Sequence, residues 1–168
     1  MATEIERKFL VEGDGWRHGS RAEPIRQGYI LARPDCAVRV RTVGDRAFLT
    51  IKQGHAGITR LEYEYAIPPE DAAEMLDRVC ERPLVEKTRY TLEFAGREWT
   101  VDVFAGDNAG LVLAEIELDH EGQPFEVPPW AGEEVTGIAR YFNASLISRP
   151  FRVWNAAERA NERRASSP

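Results

Sequence analysis

Long apolar runs are missing from this chain of 168 residues. No stretch approaches the ~20 residues that a helix needs to cross a bilayer. The first ten residues alternate charge with apolar side chains, so they lack the unbroken apolar segment of a secretory signal. Cysteine is scarce: Cys36 and Cys80 have neither metal-type spacing nor the numbers for a disulfide framework, and a reducing cytoplasm is the expected setting. Histidine is scarce too. His18, His55 and His120 stand apart in Gly- or charge-rich stretches, which suits loop positions better than a zinc site or a catalytic base. An excess of positive charge is also absent. The formal net charge of -6 argues against a nonspecific grip on nucleic acid or on an anionic membrane, and neither partner is expected.

What the chain does have is a hydrophobic content of 43% and a charged content of 30%, enough for one packed domain. The domain is expected over residues 1–151, followed by a polar tail, 152–168, with almost no apolar face. Apolar and polar residues alternate with period two in eight segments, near 2–11, 24–33, 36–43, 46–53, 58–67, 84–94, 97–104 and 110–119, which read as strands. Gly44-Asp45 and Gly96-Arg97 supply short polar turns, so neighbouring strands are expected to pair antiparallel. One helix begins at Pro68-Pro69-Glu70-Asp71, continues through Ala72, Met75, Leu76 and Val79, and stops by Pro83. A second is expected near 138–147, with irregular chain from Gln123 to Trp130. The fold class is mainly β, with few helices, which favours a barrel or a strongly curved sheet.

The alternation carries charge on one face. Glu4, Glu6 and Lys8 share a side of the first strand, with Arg7 the exception. Arg39 and Arg41 follow, then Thr50 and Lys52, then Arg60, Glu62 and Glu64. Lys87, Arg89, Asp102, Glu115 and Glu117 complete the set. For a single pair this is the ordinary wet face of an antiparallel sheet. Taken together, the segments carry Arg and Glu at their centres with little diluting Ser, Thr, Asn or Gln, and signs are segregated by strand. Exposed ion pairs contribute only ~0–1 kcal/mol each, so stability gives no reason for such a set.

A ligand of mixed charge does give one. The acids Glu4, Glu6, Glu62, Glu64, Asp102, Glu115 and Glu117 balance the bases Lys8, Arg39, Arg41, Lys52, Arg60, Lys87 and Arg89. Two divalent cations with a triphosphate of roughly four to five negative charges would keep the filled site near neutral. Guanidinium forks suit phosphoryl oxygens, and paired carboxylates suit Mg²⁺ or Mn²⁺.

The motifs in this order resemble the CYTH superfamily, also called triphosphate tunnel metalloenzymes. Glu4-Ile5-Glu6-Arg7-Lys8 is similar to the ExExK motif of that family. Arg39-Val40-Arg41, Thr50-Ile51-Lys52, Glu62-Tyr63-Glu64, Lys87-Thr88-Arg89, the segment Trp99 to Phe104, and Glu115-Ile116-Glu117 follow in register, and the likeness spans about Ala2 to Phe151. The resemblance implies an eight-stranded antiparallel closed barrel with helices outside. It implies metal ligation by Glu4, Glu6, Glu115 and Glu117, with Glu62, Glu64 and Asp102 acting directly or through water. It also implies phosphate binding by Lys8, Arg39, Arg41, Lys52, Lys87 and Arg89. The segments Glu134 to Gly137 and Arg140 to Asn143 resemble the ending of short bacterial members of the tripolyphosphatase kind, although Ile138-Ala139 departs from their pattern.

The implied activity is metal-dependent hydrolysis of a small triphosphate, inorganic tripolyphosphate before others, by a monomer or homodimer using two Mg²⁺ or Mn²⁺ ions during turnover. Lys8, Arg41 and Lys52 are the expected catalytic residues. Lys8 is either a proton-transfer group, its pKa lowered among buried cations, or a plain phosphate-binding charge. Thiamine triphosphate hydrolysis and a class IV-type adenylate cyclase are alternatives. So are a polyphosphate-binding module without turnover and, with the two faces reversed, a barrel carrying an apolar ligand.

Overall fold

The protein is described by a computed structural model covering residues 2–33, 35–53 and 59–160, without the side chains of residues 2–4, 59, 60 and 160. Glu4 and Arg60 are therefore placed by strand only, and His55 and the tail beyond 160 lie outside the described residues. The strands are β1 (Ala2–Val11), β2 (Arg21–Ala32), β3 (Cys36–Val43), β4 (Arg46–Gln53), β5 (Thr59–Ala66), β6 (Val85–Phe94), β7 (Arg97–Phe104), β8 (Val112–Glu117) and β9 (Ala131–Glu134). The helices are α1 (Pro69–Arg78), α2 (Ser145–Ser148) and α3 (Ala156–Ala160).

The strands run antiparallel in the order β5-β4-β3-β2-β6-β7-β8-β1. β1 then pairs with β5, from Ala2↔Glu62 to Ile5↔Thr59, which joins the two ends into a ring of eight. Closure removes the exposed edges that an open sheet would present. β9 pairs with Phe9 and Val11 of β1 and prolongs that short seam.

Three expectations are amended. β2 starts at Arg21, before Pro24, because β3 ends at Val43 and leaves the ring nitrogen of Pro24 facing no ladder acceptor. The turn between β6 and β7 is Ala95-Gly96, both with positive φ, as a tight two-residue hairpin requires. The expected helix over 138–147 is instead a 3₁₀ turn, Ala139–Tyr141, an extended Phe142 and the short α2. The break lets Tyr141, Leu146 and Ile147 all reach one apolar cluster. β9 carries no alternating apolar signal, and its sequence, AGEE, does not read as a strand.

Apolar packing lies mainly outside the ring. Ile5 and Phe9 of β1, Trp99 and Val101 of β7, and Ala114 and Ile116 of β8 pack with Trp16 and Trp130. Ala72 and Leu76 of α1 cover Val40 and Ala47. Gly28 of β2 meets this layer closely: a Cβ there would lie 2.6 Å from the Cβ of Cys80. A third cluster lies at one end of the barrel interior. There Tyr29, Val85, Phe104 and Leu113 lie on the same strand faces as the inward charges and pack against Tyr141, Leu146, Ile147 and Trp154 from the C-terminal segment.

Candidate active site

Strand alternation decides what the interior contains. With the apolar residues of β1, β7 and β8 committed to the outer layer, their neighbours Glu6, Lys8, Asp102, Glu115 and Glu117 must point the other way. A cavity of about 420 Å³ is walled by Glu6, Lys8, Arg39, Arg41, Lys52, Glu62, Lys87, Arg89, Glu115 and Glu117. A second, of about 540 Å³, continues from Arg41, Arg89, Glu115 and Glu117, which border both, and adds Glu64. The charged faces thus line the interior, and the apolar-ligand alternative, which needs them reversed, does not describe this barrel.

Around the ring the two signs occupy different arcs. β5, β1, β8 and β7 are consecutive neighbours and carry Glu62 and Glu64, Glu4 and Glu6, Glu115 and Glu117, and Asp102. β4, β3 and β6, separated only by β2, carry Lys52, Arg39 and Arg41, and Lys87 and Arg89. Lys8 is the described cation that crosses into the acidic arc. At one seam Lys52 pairs with Glu62 at 2.9 Å, and Arg41 donates to both oxygens of Glu64 at 3.1 and 2.9 Å. At the other, Asp102 accepts from Lys87 at 2.5 Å and from Arg89 at 2.8 and 2.7 Å.

Asp102 is 1% exposed and borders neither cavity, because both its oxygens are taken by the cations in front of it. That position suits a residue orienting Lys87 and Arg89 better than the metal contact that its motif implies. Arg89 also reaches Glu115 at 2.9 Å, and Glu115 accepts from Lys8 at 2.6 Å.

The charge states follow from these neighbours. Burial alone would lower the pKa of Lys8, but Glu115 and Glu6 outweigh it and hold the ammonium above its ordinary range. The expectation of a lowered Lys8 is corrected: its immediate neighbours are carboxylates, not cations. Lys87 is the lysine that burial pushes down, to about 8, because Asp102 and Glu115 only partly offset desolvation and Arg89 adds to it. Burial would raise Glu115 and Asp102, yet the cations around each hold both below the carboxylate range. Burial, and then Arg39 beside it, depresses Arg41, although Glu64 opposes both. Its Nε and that of Arg39 are buried without a hydrogen-bond acceptor. Arg39 otherwise donates to Thr50 at 3.2 Å.

The wall also fits divalent metal. Glu6 and Glu117 are directly opposed in the β1–β8 ladder and border the cavity together. Like charges at such a pair destabilise a sheet, and a hard cation between them removes the cost. Among the described residues no three acidic, histidine or cysteine side chains already converge as a preformed cage. Glu6, Glu115, Glu117 and Glu62 are the oxygen donors at hand. Arg7, outside this set, pairs with Glu134 of β9 and stacks over Phe125.

Three polar residues of this region carry no charge pattern and escape sequence reading. Gln27 and Tyr29 stand opposite Arg41 and Arg39 in the β2–β3 ladder. Burial pushes the Tyr29 phenol up, with Arg39 and Lys52 opposing. Asn143 comes from the break after Phe142, and its Oδ1 accepts from Lys87 Nζ and from Gln27 Nε2, both at 3.1 Å.

Known proteins resemble this chain along most of its length. The CYTH domain matches residues 2–151. An inorganic triphosphatase from Acetivibrio thermocellus is 48% identical over 152 residues, covering 90% of this chain and 97% of that protein. One from Nitrosomonas europaea is 44% identical over 150 residues, covering 86% and 96%. A crystal structure of an inorganic triphosphatase superposes with a TM-score of 0.63 at 42% identity, covering 88% of this chain and 95% of the other. A conserved hypothetical protein from Pyrococcus furiosus shares the fold at a TM-score of 0.56 and 21% identity, covering 71% and 80%. With its interior charges in the order of the family's motifs and its match running almost the length of the barrel, the chain belongs to the CYTH domain family.

Proposed function

We propose that this chain is a metal-dependent triphosphatase that hydrolyses inorganic tripolyphosphate to pyrophosphate and phosphate. The observation that carries the reading is the division of one cavity wall into an acidic arc of neighbouring strands and a basic arc interrupted only by β2. A chain of phosphoryl groups lies along the basic arc, with Arg39, Arg41, Lys52, Lys87 and Arg89 addressing its oxygens. Arg39 and Arg41 both border the cavity, side by side on β3. Two relatives and a solved structure that carry the name inorganic triphosphatase support the same activity.

Divalent ions, Mg²⁺ or Mn²⁺, held by Glu6, Glu115 and Glu117 with Glu4 and Glu62 beside them, supply charge neutralisation and a water of lowered pKa. The chain's own residues fix the phosphate chain so that water meets the terminal phosphorus in line. The bridging P–O bond breaks and pyrophosphate leaves. Lys8, protonated between Glu115 and Glu6, acts as a phosphate-binding charge rather than a base. Arg41 and Lys52 stabilise the charge that spreads over the phosphoryl oxygens. Glu64 holds Arg41 in place, Glu62 holds Lys52, and Asp102 holds Lys87 and Arg89.

The described residues contain no helix long and apolar enough to cross a membrane. Both cysteines are free, and a cytoplasmic setting remains part of this proposal. The test is an assay with tripolyphosphate, thiamine triphosphate and ATP side by side, each with Mg²⁺ and with Mn²⁺. Tripolyphosphate is expected to be turned over most efficiently, and chelator to abolish activity. Conversion of ATP to cyclic AMP with pyrophosphate release, at higher efficiency than tripolyphosphate hydrolysis, would overturn the reading. So would tight binding of tripolyphosphate without turnover.

A further inference from the structure

At one end of the cavity the interior changes from charged to apolar. Along β6 the inward residues are Val85, Lys87 and Arg89. Val85 packs into the end cluster, while Lys87 and Arg89 face the cavity. At this boundary the chain delivers one neutral polar side chain, Asn143, from the break between the 3₁₀ turn and α2. Asn143 borders the cavity together with Lys87 and Arg89.

The orientation of its amide is fixed by chemistry. Lys87 Nζ has only donors, so the Asn143 atom 3.1 Å away is the carbonyl oxygen. The same oxygen accepts from Gln27 Nε2 at 3.1 Å. Gln27 is fully buried, and its own Oε1 has no partner. Two donors on one oxygen turn the other end of the amide, Nδ2, away from them. That nitrogen makes no hydrogen bond among the described residues and is not among the atoms sealed from solvent without a partner. An accessible amide donor on a cavity wall otherwise built of ions is suited to an acceptor that enters from the cavity.

We infer that Asn143 is a substrate-binding residue whose Nδ2 donates to a phosphoryl oxygen at the apolar end of the cavity, while its Oδ1 holds Lys87 in line with that same group. This rests on the triphosphatase reading and adds a contact from outside the strands to it. A neutral donor fits there because Lys87 is already short of solvation. A further cation would press it harder, and a carboxylate would repel the phosphate.

Asn143→Asp separates the two ends of the amide, since it keeps an acceptor for Lys87 and Gln27 and replaces only the donor. With Mg²⁺ present, its KM for tripolyphosphate is expected to rise at least about tenfold, the loss of a hydrogen bond to a charged group with a repulsion added. The ligand-free melting temperature should stay level or rise, and the shift conferred by tripolyphosphate should shrink. An unchanged KM with an undiminished shift would overturn the inference and leave Asn143 as support for Lys87 alone. As a measurement independent of any variant's folding, the side-chain amide signals of Asn143 in the wild type should move on titration with tripolyphosphate. Signals that stay still under saturating ligand would likewise overturn it. Failure of the wild type to bind or hydrolyse tripolyphosphate would instead count against the triphosphatase reading itself.

Discussion

On the acidic arc of the barrel, carboxylate after carboxylate already has a cation: Lys52 on Glu62, Arg41 on Glu64, Lys87 and Arg89 on Asp102, and Lys8 on Glu115. On the basic arc, Arg39 and Arg41 border the cavity side by side, and burial beside another guanidinium depresses Arg41. Most of these acids are therefore occupied and exchangeable, whereas two guanidinium groups crowd like charge onto the opposite wall. The difference matches what each arc would receive. A metal ion can take over a carboxylate from a lysine with no bond left unmade, because the released ammonium turns to the arriving phosphate. An anion relieves the crowding of the cations it meets.

This contrast can be broken at its seam. Asp102→Asn removes the shared partner of two buried cations and should destabilise the ligand-free protein by about 3–5 kcal/mol, read from urea unfolding. A metal ligand at that position would instead lower metal affinity and leave ligand-free stability nearly intact. Next comes the basic arc. Arg41→Ala should lower kcat/KM for tripolyphosphate by about two orders of magnitude and shrink the protection from heat that tripolyphosphate confers. Its ligand-free melting temperature should hold or rise. Wild-type kinetics would move this face out of the site.

On the acidic arc Glu117→Gln should lower turnover at least about tenfold at limiting Mg²⁺, and part of the loss should return at saturating metal. Full activity at limiting metal would remove Glu117 from the ligand set. The smallest effect concerns pH. Lys87 has a pKa of about 8 in the fold against an ordinary 10.5, so the unfolded chain binds its proton more readily between those values. The cost of burying this charge is fully present below about pH 8 and is relieved as pH rises toward 10.5, so its contribution to stability grows across that window. Melting curves of the wild type and of Lys87→Met, compared from pH 7 to 10, should diverge in that direction.

The strands and the identity of the charged face could be read from sequence because period-two alternation is local. Lys52 next to Ile51, or Glu115 next to Ile116, announces itself within two residues. What surrounds a charge is not local. Lys8 looks like one cation among many along the chain, and only the β1–β8 register, Lys8↔Glu115 and Glu6↔Glu117, reveals that its neighbours are acidic. Asp102 lies on the expected face, yet its depth behind Lys87 and Arg89 depends on packing among three strands. Gln27, Tyr29 and Asn143 are ordinary residues in ordinary contexts. Asn143 is placed by a helix that breaks, which helical spacing in the sequence conceals.

Because each strand carries site chemistry at one parity and outer packing at the other, the chain tolerates different kinds of change in different places. Deleting one residue within β8 would swing Ala114 and Ile116 into the cavity and thrust Glu115 and Glu117 among Trp99, Trp130 and Phe9. Site and scaffold would be lost together. Substitution at a single inward position leaves the outer layer untouched, and a change of length between Asp119 and Trp130, beyond the end of β8, leaves both parities in place. Lineages carrying this barrel should therefore differ in loop length and in individual wall residues, while the count of residues within each strand stays fixed.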